Sequence, residues 1–252
     1  MTLLILPYGR LGNNILQLIN CILENIYRYK HDRIDLTLLK KAQPSILKKF
    51  PNTFSFDGTE EPILKDTFWI IETKKQHDEL VRIIDTYIKP YIDYDLSDTK
   101  GIQLEKDLVI HIRSGDIFRK DFPLNRYVQP PLSFYTRIID ETKFEHIYIL
   151  SESHLLNPVI PALTNKYKHV TFLSNDLDTD FKLMLNCRYF VNSNTTFSIV
   201  INLLSNNKQQ IFLSHGLTKG YSSCETIHHS NNEYYSQMVS SYEEKIEKLL
   251  HC

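Results

Sequence analysis

From about residue 108 onward the chain alternates short β-type apolar runs with segments of helical period, and few architectures accept that pattern. Leu108, Val109, Ile110 and Ile112 make the first run, and others fall at 146–150, 169–174, 189–193 and 209–213. Between them, residues 131–141, 155–166, 179–187 and 196–205 show helical spacing of apolar positions. A parallel pair of strands needs a crossover, and a crossover helix lies on the sheet. Repeated strand–helix alternation therefore predicts an α/β fold with a parallel sheet covered on both faces. A last helix is expected near 232–250, with Met238, Tyr242, Ile246, Leu249 and Leu250 on its apolar side.

The N-terminal part carries the same grammar less regularly. Leu3 to Leu6 reads as a strand, Pro7 to Gly12 as a turn, and residues 13–29 as a helix with Ile15, Leu18, Ile19, Ile22, Leu23 and Ile26 on one stripe. Asn13 or Asn14 is the expected cap. A second strand is expected at 33–38, an irregular stretch at 40–66 with Pro44, Pro51 and Pro62, an extended segment at 67–71 and a helix at 75–88. The polar stretch from Asp93 to Lys106 is the natural boundary, giving domains 1–95 and 96–252.

Composition narrows the function classes. Among 252 residues the net charge is −1, so no bulk basic field exists for nucleic acid or anionic lipid, and any anion must be held by local groups. No segment approaches the ~20 apolar residues of a membrane span, and the N-terminus lacks the charged region of a signal peptide. The cysteines, Cys21, Cys187, Cys224 and Cys252, are scattered with no C-x-x-C pair. Reduced thiols in a cytoplasmic protein follow. His215, Cys224, His228 and His229 fit no standard zinc spacing, so no metal is expected there. Asn194-Thr195-Thr196 is a formal glycosylation sequon, without meaning unless the chain is secreted.

Three segments carry chemistry. Val109 to Asp116 reads VIHIRSGD, so a buried strand delivers His111, Arg113 and Asp116 at its carboxyl end. Ligands of open α/β sheets bind at that edge, and a guanidinium presents a planar fork of donors to phosphate oxygens. Gly9-Arg10-Leu11-Gly12-Asn13-Asn14 places glycines between a strand and a helix, where exposed amides and the helix dipole attract anions. It has neither dinucleotide-fingerprint nor Walker spacing. Asn192 to Ser198, NSNTTFS, puts small polar side chains at the start of another helix. Taken singly, these also read as a strand end with a structural Arg–Asp pair, a tight turn and a generous helix cap.

In this order the segments resemble GDP-fucose-dependent fucosyltransferases of the α-1,2 type, and more distantly the α-1,6 and protein O-fucosyltransferases. That family pairs G-[RG]-[LF]-G-N-Q with H-x-R-R-x-D and a later S-N-S-T-F-S. Pro131-Leu132-Ser133-Phe134-Tyr135 is similar to its P-L-S-Y-Y, and Asp180-Phe181-Lys182-Leu183-Met184 to its D-F-x-L-M. The matches span residues 9 to about 205, with Asn14 for the usual Gln and Ser114 for the second Arg.

The resemblance implies a GT-B-like fold, two facing Rossmann-like domains with a parallel sheet in each, the N-terminal one on the acceptor side. It implies inverting transfer of fucose from GDP-fucose to a sugar hydroxyl, α-1,2 to a terminal galactose, with no cofactor and no metal. Its partners are the GDP-sugar donor and a glycan acceptor. Arg113 holds the β-phosphate, and His111 orients Arg113 or contacts the nucleotide. Asp116 is a candidate base beside Glu152 and Asp121. Gly12, Asn13, Asn14, Ser193, Asn194, Thr195, Thr196, Phe197 and Ser198 line the substrate, and Asp178 or Asp180 accepts from guanine. Two other readings stand beside it. Asp176 to Asp180 contains D-x-D twice, as in transferases that hold Mn²⁺ or Mg²⁺ under another nucleotide sugar. The departures at 14 and 114 also fit a decayed GDP-sugar-binding protein.

Overall fold

A tight turn at Gly9, with φ +68°, converts the first apolar run into a strand–helix unit. The computed structural model describes residues 2–29, 33–56, 74–97, 99, 101–119, 129–152, 156–214, 225–229 and 241–251. They divide into two units, residues 1–95 with 199–204, and residues 96–198 with 205–252.

In the first unit, β1 (Thr2–Leu4) leads to α1 (Leu11–Glu24), which continues as a π-helical turn over Asn25–Tyr29. Strand β2 (Arg33–Asp35), helix α2 (Thr37–Ala42), β3 (Thr53–Ser55) and α3 (Lys74–Ile83) follow. The sheet order is β1-β2-β3. β1 and β2 are parallel, but β3 runs antiparallel to β2, so this sheet is mixed where a purely parallel one was expected. Its third strand comes from the stretch at 40–66 that lacks periodicity. Three residues are too few to display a period of two, and Phe54 is the one that is buried. Phe54 packs against the rings of Tyr87 and Tyr91, with centroids 5.8 and 5.7 Å away.

The cap of α1 also differs from expectation. Arg10 is the capping residue, in extended conformation, and the Asn14 amide donates to its carbonyl. Asn13 and Asn14 thus lie inside the first turn. Asn14 does not cap because its Oδ1 accepts from the backbone N–H of Tyr8 at 3.0 Å, a bond shared with Gln17 Oε1 at 3.1 Å.

The second unit is the expected parallel α/β layer structure. Its strands are β4 (Leu108–His111), β5 (Ile147–Leu150), β6 (Val170–Leu173), β7 (Tyr189–Val191), β8 (Gln210–Ser214) and β9 (Glu225–His229). Between and after them lie α4 (Leu132–Glu141), α5 (Val159–Lys166), α6 (Leu177–Asn186), α7 (Thr196–Leu204), whose residues 199–204 count with the first unit, and α8 (Tyr242–His251). Every pairing is parallel, and the order is β6-β5-β4-β7-β8-β9. β9 was not anticipated; its sequence, Glu-Thr-Ile-His-His, has too few apolar residues to mark a strand.

Residues of β4 are buried on both faces, which is why the run reads as continuous apolar sequence rather than alternation. Leu108 and Ile110 face one core with Phe134, Tyr135 and Ile138 of α4, Ile160 and Leu163 of α5, and Leu249 of α8. The alternating chain direction leaves Val109 to the other face. Among the described residues no helix is long and apolar enough to cross a membrane. The extended segment expected at 67–71, together with Asp121, His215, Cys224 and Cys252, lies outside the described residues.

Lys208 terminates α6. Its ammonium donates to the carbonyls of Met184 and Cys187 (2.8 Å for the latter) and to Ser205 Oγ at 2.9 Å, and it lies over the Phe190 ring at 5.3 Å. These are helix-end carbonyls with no partner inside the helix. Lys208→Met should therefore lower the unfolding free energy by about 2 kcal/mol, since hydrogen bonds to charged groups contribute about 1.5–3 kcal/mol. Urea denaturation checks it, and an unchanged midpoint would remove this account of how α6 ends.

Candidate functional site

The strand order reverses direction between β4 and β7: β5 and β6 lie to one side, and β8 and β9 to the other. The crossover chains leave β4 and β7 in opposite directions and so open a crevice at their carboxyl ends. The two polar motif segments of the second unit, HIRSGD and NSNTTFS, both occupy that edge.

They are joined by a buried hydrogen-bonded cluster. His111 Nδ1 lies 2.7 Å from Ser193 Oγ and 2.7 Å from Ser198 Oγ. The two hydroxyls are 2.7 Å apart, and Thr195 Oγ1 approaches them at 3.0 and 3.2 Å. Thr195 Oγ1 also accepts the Ser198 amide at 3.1 Å, so it caps α7 while closing the cluster. Three hydroxyl protons can run around the three oxygens. A proton on Nδ1 then serves both serines. Nδ1 is therefore the ring nitrogen that engages both serines, as donor in one tautomer and as acceptor of a hydroxyl proton in the other. Burial first, and the Arg113 charge second, push the His111 pKa down from 6.5 to about 3, so the imidazole is neutral. Phe197 meets its ring edge-on at 5.4 Å and Phe181 at 6.0 Å, which fixes Phe197 beside the cluster.

Arg113 follows β4 by two residues. Its Nη2 donates to both carboxylate oxygens of Asp116 at 3.2 and 3.3 Å, and its side chain is about a quarter exposed. The backbone carbonyl of Arg113 accepts Asn157 Nδ2 at 2.8 Å, and Asn157 is in turn paired with Gln129 at 2.7 Å. The 3₁₀ turn Gly115–Phe118 then begins at Gly115, with φ +68°. A Cβ there would fall 2.4 Å from Glu152 Oε2, so the carboxylate that follows β5 lies against this turn. Asp116 and Glu152 are both close to Arg113's segment, while Asp121 is outside the described residues.

Further polar atoms gather along the same edge. Ser114 Oγ after β4, Ser151 Oγ after β5, Asn175 Oδ1 after β6 and Asn192 Oδ1 after β7 are buried and have no hydrogen-bond partner among the described residues. Buried polar groups in folded proteins are nearly always satisfied, and unsatisfied ones concentrate where a ligand or an ion belongs. Nothing in the sequence announces Ser151 or Asn175 individually. Their position directly beyond a strand end is the signal that could have found them.

The remaining expected site residues are placed as follows. Asn194 and Thr195 are buried beside Ser193, and Thr196 and Phe197 are half-buried at the first turn of α7. Asp176 caps α6 by accepting the Thr179 amide at 2.8 Å, which holds its carboxyl below the usual range. That helix begins at Leu177, two residues earlier than expected, because Asp176 caps it. Asp178 lies half-buried in its first turn, and Asp180 accepts from Asn175 Nδ2 at 2.8 Å. The D-x-D carboxylates therefore include one helix cap, and among the described residues no three His, Cys, Asp or Glu side chains converge as a metal cluster. Gly12, Asn13 and Asn14 belong to the first unit; Gly12 and Asn14 are buried, and Asn14 and Gln17 hold the turn at Tyr8.

The second unit is thus a doubly wound α/β layer with a polar site at its switch point. No family model matches the chain, and no curated protein matches it. Three solved structures from E. coli are similar to it. Heptosyltransferase WaaC with ADP-2-deoxy-2-fluoro heptose has 12% identity over 63% of this chain and 50% of that one, with a TM-score of 0.37. ADP-heptose LPS heptosyltransferase II has 14% identity over 74% and 54%, with a TM-score of 0.30. WaaC with ADP has 9% identity over 97% of each chain, with a TM-score of 0.44. The matched regions span about half the length of the first two. At these values the likeness identifies no family.

The neutral, buried imidazole has a consequence for stability. His111 resists protonation down to about pH 3 in the fold but titrates near 6.5 when unfolded. Its contribution is complete above 6.5 and is lost as pH falls toward 3, because the unfolded chain then binds the extra proton. Between pH 7 and 5 this amounts to about 2 kcal/mol. Urea unfolding at those two pH values should show that loss, and His111→Gln should show a smaller one. Equal losses in the two proteins would rule out a buried neutral imidazole.

Proposed function

We propose that this chain is a nucleotide-sugar-dependent glycosyltransferase of GT-B-like type, that its donor is GDP-fucose, and that it transfers fucose with inversion to a sugar hydroxyl, α-1,2 to a terminal galactose. Residues 96–252 bind the donor and residues 1–95 the acceptor side. The observation that carries the reading is the buried contact of His111, at the end of β4 and two residues before Arg113, with Ser193 and Ser198 at the hydroxyl-rich start of α7, across the point where the strand order reverses. The ordered motif resemblance from Gly9 to Ser198 supports the donor identity.

The chemistry follows from charge. The C1–O bond to the β-phosphate breaks with its electron pair moving to the departing diphosphate, and the sugar carbon becomes oxocarbenium-like. A fixed guanidinium stabilises the charge that develops on the leaving group. Asp116 holds Arg113 in place through its paired oxygens. His111 locks Ser193 and Ser198 and so orients the start of α7, whose amides favour an anion. The acceptor hydroxyl attacks from the opposite face and gives its proton to a carboxylate, for which Glu152, beside the Gly115 turn, is the candidate outside the Arg113–Asp116 pair. Because bond breaking leads, a carboxylate of ordinary basicity suffices.

The D-x-D alternative has less support, since Asp176 is engaged as the cap of α6. The deciding experiment incubates the protein with GDP-fucose, other GDP-sugars and ADP-heptose and a glycan acceptor panel, with and without EDTA, and reads products by mass. Fucosylated product that survives EDTA is expected. Arg113→Ala should lower turnover ~10²–10³-fold, as loss of one preorganised oxyanion donor does elsewhere. Equal turnover in the variant, or activity restored only by Mn²⁺, would overturn the assignment, and binding of GDP without transfer would favour a decayed enzyme.

A further inference from the structure

Arg113 stands beyond the end of β4. The Ile112 amide still pairs with β5, donating to the Leu150 carbonyl at 3.1 Å. One residue later the Arg113 carbonyl accepts from a side chain instead, Asn157 Nδ2 at 2.8 Å. The guanidinium therefore takes its starting direction from a backbone that a side chain holds.

Asn157 does not act alone. Its Nδ2 also donates to Gln129 Oε1 at 2.7 Å, Gln129 Nε2 donates back to Asn157 Oδ1 at 3.3 Å, and Oδ1 accepts the Val159 amide at 3.0 Å. Both residues are fully buried. The orientation of the pair is fixed at both ends. A carbonyl can only accept, so Nδ2 must face Arg113; a backbone N–H can only donate, so Oδ1 must face Val159. Both donors and both acceptor sites of the Asn157 amide are thereby used. The two amides are also held by their chains. Gln129 precedes Pro130 and Pro131, and Asn157 precedes Pro158. A residue before proline is restricted toward extended backbone. Helix α4 starts at Leu132 and α5 at Val159, so each amide is set on a helix start with little freedom of its own. Apolar side chains would fill this volume without desolvating two amides. A buried polar network in which each atom has its partner selects one geometry instead, and what it selects here is the course of the Arg113 backbone.

We propose that Asn157, with Gln129 as its partner, is a positioning residue of the anion site: it fixes the backbone at Arg113 so that the guanidinium faces a diphosphate held at the carboxyl end of β4. The inference rests on the reading of Arg113 as the diphosphate ligand, though not on which nucleotide sugar carries the diphosphate. Asn157 acts through the arginine without touching the ligand. A displacement of about 1 Å in a working group costs on the order of 10²-fold, so release of one carbonyl at the strand end is enough to be read in binding.

Calorimetric binding of inorganic pyrophosphate to the full chain tests it, for the wild type and for Asn157→Ser, Gln129→Met, Arg113→Ala and Lys208→Met. Asn157→Ser keeps a hydroxyl for the Val159 amide but is too short for the Arg113 carbonyl. Lys208→Met weakens the same unit through other partners, so it shows what lost stability alone does to binding, with thermal unfolding to compare the two. Pyrophosphate should bind Asn157→Ser roughly tenfold and Gln129→Met roughly threefold more weakly than the wild type, and Lys208→Met within about twofold of it. Wild-type affinity in Asn157→Ser, or an equal loss in Lys208→Met, would overturn the proposal, since the network would then be structural only. Should Asn157→Ser fail to fold, Gln129→Met decides. The reading of Arg113 is tested separately. Weak binding by Arg113→Ala beside wild-type binding by Asn157→Ser keeps that reading and removes the proposal. Wild-type binding by Arg113→Ala removes both, as does a wild type that binds no pyrophosphate.

Discussion

At the carboxyl end of β4 a buried imidazole must find partners, and it finds them on the segment that follows β7. The hydroxyls of Ser193 and Ser198 both meet Nδ1, and Thr195 Oγ1 closes on the two of them, so two segments that leave the sheet in opposite directions are tied at one point. Parallel strand order alone would open a crevice there without fixing its walls. The cluster fixes the start of α7, and with it the amides that point out of that helix. It also sets the exit of β4, and therefore where Arg113 begins. A neutral imidazole suits this role better than a charged one. A charged ring would need two donors satisfied and would add repulsion to Arg113, which is part of why burial and that guanidinium hold it neutral.

Much of the second unit was legible because a parallel sheet writes itself plainly. Strands buried on both faces appear as unbroken apolar runs such as Leu108 to Ile110, and crossover helices as period-3.6 segments between them. Elements that depart from that grammar were not legible. β3 is held by one buried phenylalanine on a three-residue strand, and β9 is Glu-Thr-Ile-His-His paired to β8. Neither carries a pattern of its own; each is a strand because a neighbouring edge offers it hydrogen bonds. The cap of α1 was misplaced for a related reason. Two asparagines beside a glycine look like caps, but Asn14 spends its side-chain oxygen on the turn at Tyr8, and the helix starts from the extended backbone at Arg10 instead.

For the site, sequence motifs located the segments but not the bonds within them. His111 and Arg113 both lie at the carboxyl end of β4, yet only the folded chain pairs the histidine with Ser193 and Ser198, 82 and 87 residues away. Asp176 and Asp180 shared one string with Asp178, and the fold separates their duties. Asp176 caps a helix and Asp180 takes an asparagine amide. The burial of Lys245 was invisible at the sequence level because it is wholly tertiary. Lysine on an amphipathic helix near a terminus reads as a solvated position, and only the packing of α8 against Ile117 and Phe118 reveals a buried cation.

Ser114 changes meaning in this light. As a string, it stands where the family that the motifs resemble carries a second arginine. In the fold its side chain is fully buried and its hydroxyl has no partner among the described residues. The Ser114 side chain is therefore enclosed by the protein at the strand end. An arginine there would have to bury a guanidinium or twist the turn that Gly115 makes possible through its positive φ. The serine is thus a packing solution at the strand end, not simply a missing ligand contact.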